Sequence, residues 1–541
     1  MLRRPCIYFV QQNELLQIGV LRPRVFIIHL NIHYFRRCSS MRKFFVLITV
    51  LLVSMLAIAG GTVKFVLGVD ITTLLPADTP DNPTMMVEAH IFEGLVQYDS
   101  EMNIVPVLAE RWEISEGGKV YTFYLRKGIT FHDGTPFNAY AVKKNFEYIL
   151  NNNLRMGNLY KPNIESMEVV DDYTVKFILK FPFAPFLNYL CHPAGRIVSP
   201  KAIDMYGSDP AELGKHAVGT GPFKFVEWIP GERVVLVKNE NYWKPGYPKL
   251  DKITFVPVPE AVTRVLQVQS GDADLAVNVP AVLLPKLEKD PRVDVVSMPT
   301  LRVIFLGLNL KRKPFDDVRV RRALNYAIDK ETLCKTIMRG LAVPLDSPIS
   351  SYTWGHASAG GYPYDPEKAK ELLAEAGYPD GFEMELITPK GRYPQDYETA
   401  VAIQSMLKKV GIKVNVVTMD WPSYVARVLK TDDYDAHLLG WSPSTGEAFW
   451  AIQPVLGTGS VYNRCFYSNP TVDQLLEEAK RETDTSRQLK LLADAQKLIM
   501  EDAPWVFLYN VYQVYAKNSK LKGELAIPTE MIVLNEAYLE E

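Results

Sequence analysis

Two loops hold the residue types best suited to gripping a small charged molecule. Residues 389–396 (PKGRYPQD) offer Arg392 beside Tyr393, and a planar guanidinium fork can hold a carboxylate through two parallel hydrogen bonds. Residues 441–450 (WSPSTGEAFW) offer Trp441 as a stacking surface or wall. The same loop supplies the hydroxyls of Ser442, Ser444 and Thr445 for carboxylates or peptide groups, and Glu447 for an amine. Each has a plainer use. A loop arginine is often only solvated, a tryptophan leaving a buried strand can plug the core, and hydroxyls beside proline and glycine often bond their own backbone.

No pattern for bond-breaking chemistry accompanies them. The chain lacks G-x-x-x-x-G-K-[ST], H-E-x-x-H, G-x-S-x-G and a complete G-x-G-x-x-G, the arrangements that cradle phosphates, hold zinc or raise a nucleophile. Gly219-Thr220-Gly221 has no third glycine, and Ser358 has no strand–turn–helix around it. His90, His132, His192, His216, His356 and His437 show no paired metal spacing, and His437 reads as a core residue. Cys191, Cys334 and Cys465 form no C-x-x-C pair. An oxidising compartment would permit one disulfide among them, but buried single thiols are expected. No metal and no cofactor is expected.

The two loops gain meaning from the elements around them. Residues 382–388 (FEMELIT) alternate like a strand, 396–410 read as a helix stopped by Gly411, and 412–418 (IKVNVVT) alternate again. Residues 422–430 read as a helix and 435–440 as a third strand. That β-α-β-α-β order requires a parallel sheet with crossover helices. Ligands gather outside the carboxyl ends of such strands, where both loops begin. Elsewhere, 120–125 (VYTFYL) reads as a strand, His132-Asp133-Gly134 as a turn, and Asn138 as the cap of a helix through Ile149. A hairpin is expected over 169–179, strands at 223–228 and 234–238, and a helix from Val318 through Ile328. Asp365-Pro366-Glu367 opens a helix that Gly377 ends.

The 541 residues, 48% hydrophobic and 23% charged, suit a globular chain of two or three lobes. Residues 1–59 hold eight basic side chains and one acid; setting them aside takes the net charge from −2 to about −9. A nucleic-acid binder carries the opposite sign. Met41-Arg42-Lys43, an uncharged run from Phe44 to Val63, and Ala57-Ile58-Ala59 before Gly60 make a secretory signal with a small-residue cleavage site. The alternative is a membrane anchor over residues 44–63. Residues 1–40 have no place in that signal, so translation is expected to begin at Met41. A soluble periplasmic protein is expected.

Longer motifs carry a resemblance. YTFYLRKGITFHDGTPFNAYAV (121–142), VGTGPFKFVEW (218–228), NENYWKPGYPKLDKITF (239–255), KPFDDVRVRRALNYAID (313–329) and YDPEKAKELLAEAGYPDGF (364–382) resemble the family 5 extracellular solute-binding proteins. These are the receptors of peptide and nickel ABC importers. The resemblance runs from about Val69 to the end. Within the family, residues 440–450, 465–476 and 191–200 are most similar to the glutathione-binding branch. The family's peptide binders commonly carry an aspartate three residues after the loop tryptophan, where it holds the ligand's amino group; Ser444 stands there in this chain. Arg392 falls near the position of the dipeptide receptors' carboxylate-binding arginine.

The resemblance implies an α/β, two-lobed periplasmic-binding-protein type II fold with an extra α/β subdomain in the N-terminal lobe. Lobe I would comprise 60–98, 200–302 and 505–541, the inserted subdomain 99–199, and lobe II 303–504. The segment from Pro76 to Met85 would line the cleft, with Asp78 and Asp81 as candidate contacts. The expected function is capture of a small peptide-like ligand, glutathione or an oligopeptide, by hinge closure, and delivery to an ABC permease with its ATPase subunits. A monomer, no enzymatic activity and no nucleic acid are expected. The rival readings are a nickel-chelate or oligosaccharide receptor of the same fold, or a secreted hydrolase.

Overall fold

Two long strands organise the chain. Val293–Leu308 and Trp505–Asn518 run antiparallel through the middle of an eleven-stranded sheet. The computed structural model describes residues 61–79 and 81–540. The 1–40 extension, the signal-like segment 41–59 and all but the last three residues of the alternative anchor lie outside them. On one side of the long pair lie Ala436–Trp441, Glu383–Pro389 and Lys413–Met419; on the other lie Leu275–Val277, Thr62–Leu67, Lys252–Pro257, Arg233–Lys238 and Phe223–Ile229. The register between the long strands breaks between Pro299 and Val303. Apolar burial divides there. One core draws mainly on residues 63–277 and 515–537, the other on 303–511.

The second core contains the expected β-α-β-α-β unit. Glu383–Pro389 pairs in parallel with both Lys413–Met419 and Ala436–Trp441. Helix Asp396–Lys408 crosses over, and Gly411 leaves it at φ +86°. The second crossover differs from expectation: one α-helical turn, Trp421–Tyr424, widens into a π-type turn over Val425–Leu429. Asp365 caps helix Pro366–Glu375 by accepting the Lys368 amide at 2.9 Å.

The region between Tyr98 and Ser199 builds its own antiparallel sheet, in the order Ala109–Ser115, Val120–Leu125, Thr174–Leu179 and Ile164–Asp171. Helix Ala139–Asn151, capped by Asn138, presses Phe146 edge-on to Phe177 at 5.0 Å. Cys334 and Cys465 are buried and Cys191 is half-buried, all as free thiols. Among the described residues no helix is long and apolar enough to cross a membrane.

Candidate functional site

A cavity of about 630 Å³ lies where several chain segments converge. Its wall is drawn from helix Asn82–Ile91, from Glu93 to Tyr98, from the turn 191–196 and from Tyr242 to Lys244. Arg302 at the register break, Ser442 to Ser444 and parts of 523–536 complete it. That volume suits a ligand of small-peptide size.

The turn 191–196 is built by its own sequence. Helix Phe186–Cys191 ends at His192, whose Nδ1 accepts the Ala194 amide at 3.1 Å. Nε2 therefore carries the ring proton, and burial pushes the imidazole down to about 3. Gly195 is required, because a Cβ there would lie 2.9 Å from the Tyr160 hydroxyl and 3.0 Å from the Leu190 carbonyl. Asn145 grips the turn's exit, donating to the Arg196 carbonyl at 3.3 Å and accepting the Val198 amide at 3.1 Å. Arg196 is thereby held against the Asn82–Ile91 helix, where Nη1 donates to the Met85 carbonyl at 3.0 Å.

Charge pairing singles out Arg196. Arg302 is forked onto Glu530 at 2.8 and 3.1 Å. Lys244 pairs with Glu536, and Glu524 with Lys517. The buried Glu93 carboxylate accepts from Tyr242, Thr220 and the Trp243 indole at 2.7 to 3.1 Å. Arg196 has no carboxylate within ion-pair distance among the described residues. Burial pushes it down to about 10. Nearby Glu88 is pushed up to about 8 by burial and carries a proton at neutral pH. A guanidinium withdrawn from water without a counter-charge favours an incoming anion.

The residues expected from sequence scatter around this cavity. Ser442 and Ser444 line it. Thr445 is fully buried and directs its hydroxyl to Glu447. Glu447 was expected to meet an amine, but its oxygens accept the Phe449 and Trp450 amides at 2.6 and 2.9 Å, capping helix Ala448–Leu456. Trp441 packs 5.8 Å from Tyr462 and is not part of the wall. Tyr393 is buried and donates to the Gly440 carbonyl at 3.2 Å.

Arg392 is exposed, with its guanidinium 5.1 Å from the rings of Tyr393 and Trp421, and it too lies outside the wall. The cause is Asp396, whose carboxylate gathers the amides of Gly391, Arg392 and Tyr393 and folds the loop onto its own helix. Asp78 accepts the Arg155 amide at 2.9 Å, and Asp81 caps the Asn82–Ile91 helix; the cavity begins one residue later, at Asn82. Sequence reasoning missed Arg196, Arg302 and Glu93. The available signal was CHPAGR, a proline–glycine turn ending in an arginine with no acid beside it.

Most of the chain is similar to known proteins. The family model for bacterial extracellular solute-binding proteins, family 5 (middle region), matches residues 103–463. The glutathione-binding protein GsiB of Pectobacterium atrosepticum is 40% identical over 488 residues, 88% of this chain and 93% of that protein. HbpA2 from Haemophilus parasuis is similar with a TM-score of 0.80 at 27% identity, over 89% of this chain and 100% of that one. The periplasmic binding protein DppA from Helicobacter pylori, solved with the peptide STSA, is similar with a TM-score of 0.73 at 33% identity, over 89% and 98%. With these neighbours the chain shares the two-lobed type II periplasmic-binding-protein fold.

Proposed function

This chain belongs to the family 5 bacterial extracellular solute-binding proteins, and from that premise we propose that its ligand is glutathione or a short peptide, anchored by a carboxylate on Arg196. The observation that carries this reading is the half-buried Arg196 guanidinium, without a counter-charge in a cavity whose other charges are paired or fully hydrogen-bonded. Ser442 and Ser444 supply hydroxyls for the ligand's peptide groups. Similarity to a glutathione-binding protein over most of both chains supports the same ligand class.

In this reading the signal is cleaved after Ala59 and the mature chain works in the periplasm as a monomer. The segments 60–98, 200–302 and 505–541 form one lobe carrying the insertion 99–199, and 303–504 form the other. Ligand touching both lobes favours the closed state, which an ABC permease driven by its ATPase subunits receives. No step makes or breaks a covalent bond.

A thermal-shift panel on chain refolded to strip bound solute tests the ligand class. It would hold glutathione, di- and tripeptides, nickel chelates and oligosaccharides. A ligand at a hundred times its dissociation constant adds about 2.7 kcal/mol. Glutathione or peptides should raise the melting temperature. A shift with chelates or sugars alone would contradict the ligand assignment and leave the family intact.

A further inference from the structure

Ser442 and Ser444 reach the cavity because something holds their loop in place. The loop follows strand Ala436–Trp441 of the second core, but its firmest side-chain clamp comes from the other side of the cavity. Tyr98, 4% exposed, donates its hydroxyl proton to the Thr445 carbonyl at 2.6 Å. The Tyr98 hydroxyl oxygen in turn accepts from Asn188 Nδ2 at 2.8 Å. The result is a relay from helix Phe186–Cys191, through Tyr98, to the loop's backbone. Gly446 continues the contact. It sits at φ +75°, and a Cβ there would lie 2.7 Å from Met102 Cε and 3.0 Å from the Tyr98 ring.

We propose that Tyr98 is a positioning residue that latches the closed cleft, fixing the Ser442–Ser444 wall through the Thr445 carbonyl. This rests on the reading of the chain as a closing receptor. Asn188 and Tyr98 belong to the first core's side and Thr445 to the second's, so hinge opening must break the Tyr98–Thr445 bond while the Asn188–Tyr98 bond survives. Tyr98 therefore stabilises the closed state specifically, before any ligand arrives. A second crossing bond, from the Ala184 amide to the Lys480 carbonyl at 2.8 Å, and the edge-on pair of Tyr189 and Trp450 at 5.8 Å lie along the same seam. The latch itself is buried, with Tyr98 4% and Thr445 0% exposed, and a buried hydrogen bond has its full weight.

The closed fraction sets apparent affinity. One intramolecular hydrogen bond corresponds to roughly a threefold to tenfold change in that equilibrium. Tyr98→Phe keeps the ring against Met102 and Gly446 and removes only the hydroxyl. Tyr121→Phe is the control: its hydroxyl donates to the Phe183 carbonyl at 3.0 Å entirely within the first core's side.

The experiment places spin labels, through keto amino acids, at exposed Ser115 and Gln474 and reads the distance distribution without ligand and with glutathione. Two populations are expected in the ligand-free wild type. The closed-to-open ratio should fall about threefold to tenfold in Tyr98→Phe, and stay unchanged in Tyr121→Phe. Glutathione affinity should weaken in proportion to the fall in the closed fraction, through faster dissociation. A Tyr98→Phe distribution that superimposes on the wild type, or a ligand-free wild type with no closed population, would overturn the latch. A wild type that ignores glutathione would instead remove the ligand assignment, and the ligand-free comparison would still decide the latch.

Discussion

Glu88 shows how a single buried group shapes the pH response. Thr79 has one hydroxyl proton but two acceptors in reach, the Leu75 carbonyl at 3.2 Å and Glu88 Oε1 at 2.7 Å. A proton on Glu88 completes both bonds, in keeping with burial raising its pKa from 4.5 to about 8. A raised carboxyl contributes stability that is fully present below pH 4.5 and is lost as pH rises through about 8. Buried histidines act oppositely: His90, pushed from 6.5 down to about 4, contributes stability that is lost as pH falls. Lys330, pushed by burial down to about 7, also opposes Glu88 above neutrality. Comparison of Glu88→Gln with wild type isolates the carboxyl. The variant should gain relative stability as pH rises from 4.5 to 8, by up to about 1.4 kcal/mol per pH unit. Denaturant unfolding across that range checks it, and a difference that stays flat would place the proton elsewhere.

At the scale of elements, caps decide which polar side chains remain for ligand. Glu447→Ala should cost about 1–2 kcal/mol in denaturant unfolding, because it frees two buried amides at the start of helix Ala448–Leu456. Glu447→Gln, which keeps one acceptor, should cost less; an Ala variant as stable as wild type would mean the cap has no such weight. Glutamate is an uncommon N-cap beside Ser, Thr, Asp and Asn, which is why its spacing read as a ligand contact rather than a helix start. Asp365 and Asn138 were legible because their caps are local, as were the strands around Gly411 and the parallel order they imply. Arg196 was not legible. Its role depends on Met85, 111 positions away, and on the pairing of every other charge around the cavity. Arg392 erred in the opposite sense: an inviting fork in a loop that Asp396 folds back onto its own helix.

Among the described residues the two largest apolar cores are joined by two long strands, and Arg196 stands beside the cavity without a counter-charge. The register break at Pro299–Val303 places Arg302, forked onto Glu530, in the cavity wall, so the crossing between cores and the cavity wall share that residue. The most direct test is a calorimetric titration of glutathione into ligand-stripped chain, for wild type, Arg196→Gln and Arg392→Gln. Saturable one-to-one binding is expected in the wild type, weakened about tenfold or more, at least 1.4 kcal/mol, in Arg196→Gln and unchanged in Arg392→Gln. Full affinity in Arg196→Gln with loss in Arg392→Gln would contradict the account and move the carboxylate site to the loop at 389–396.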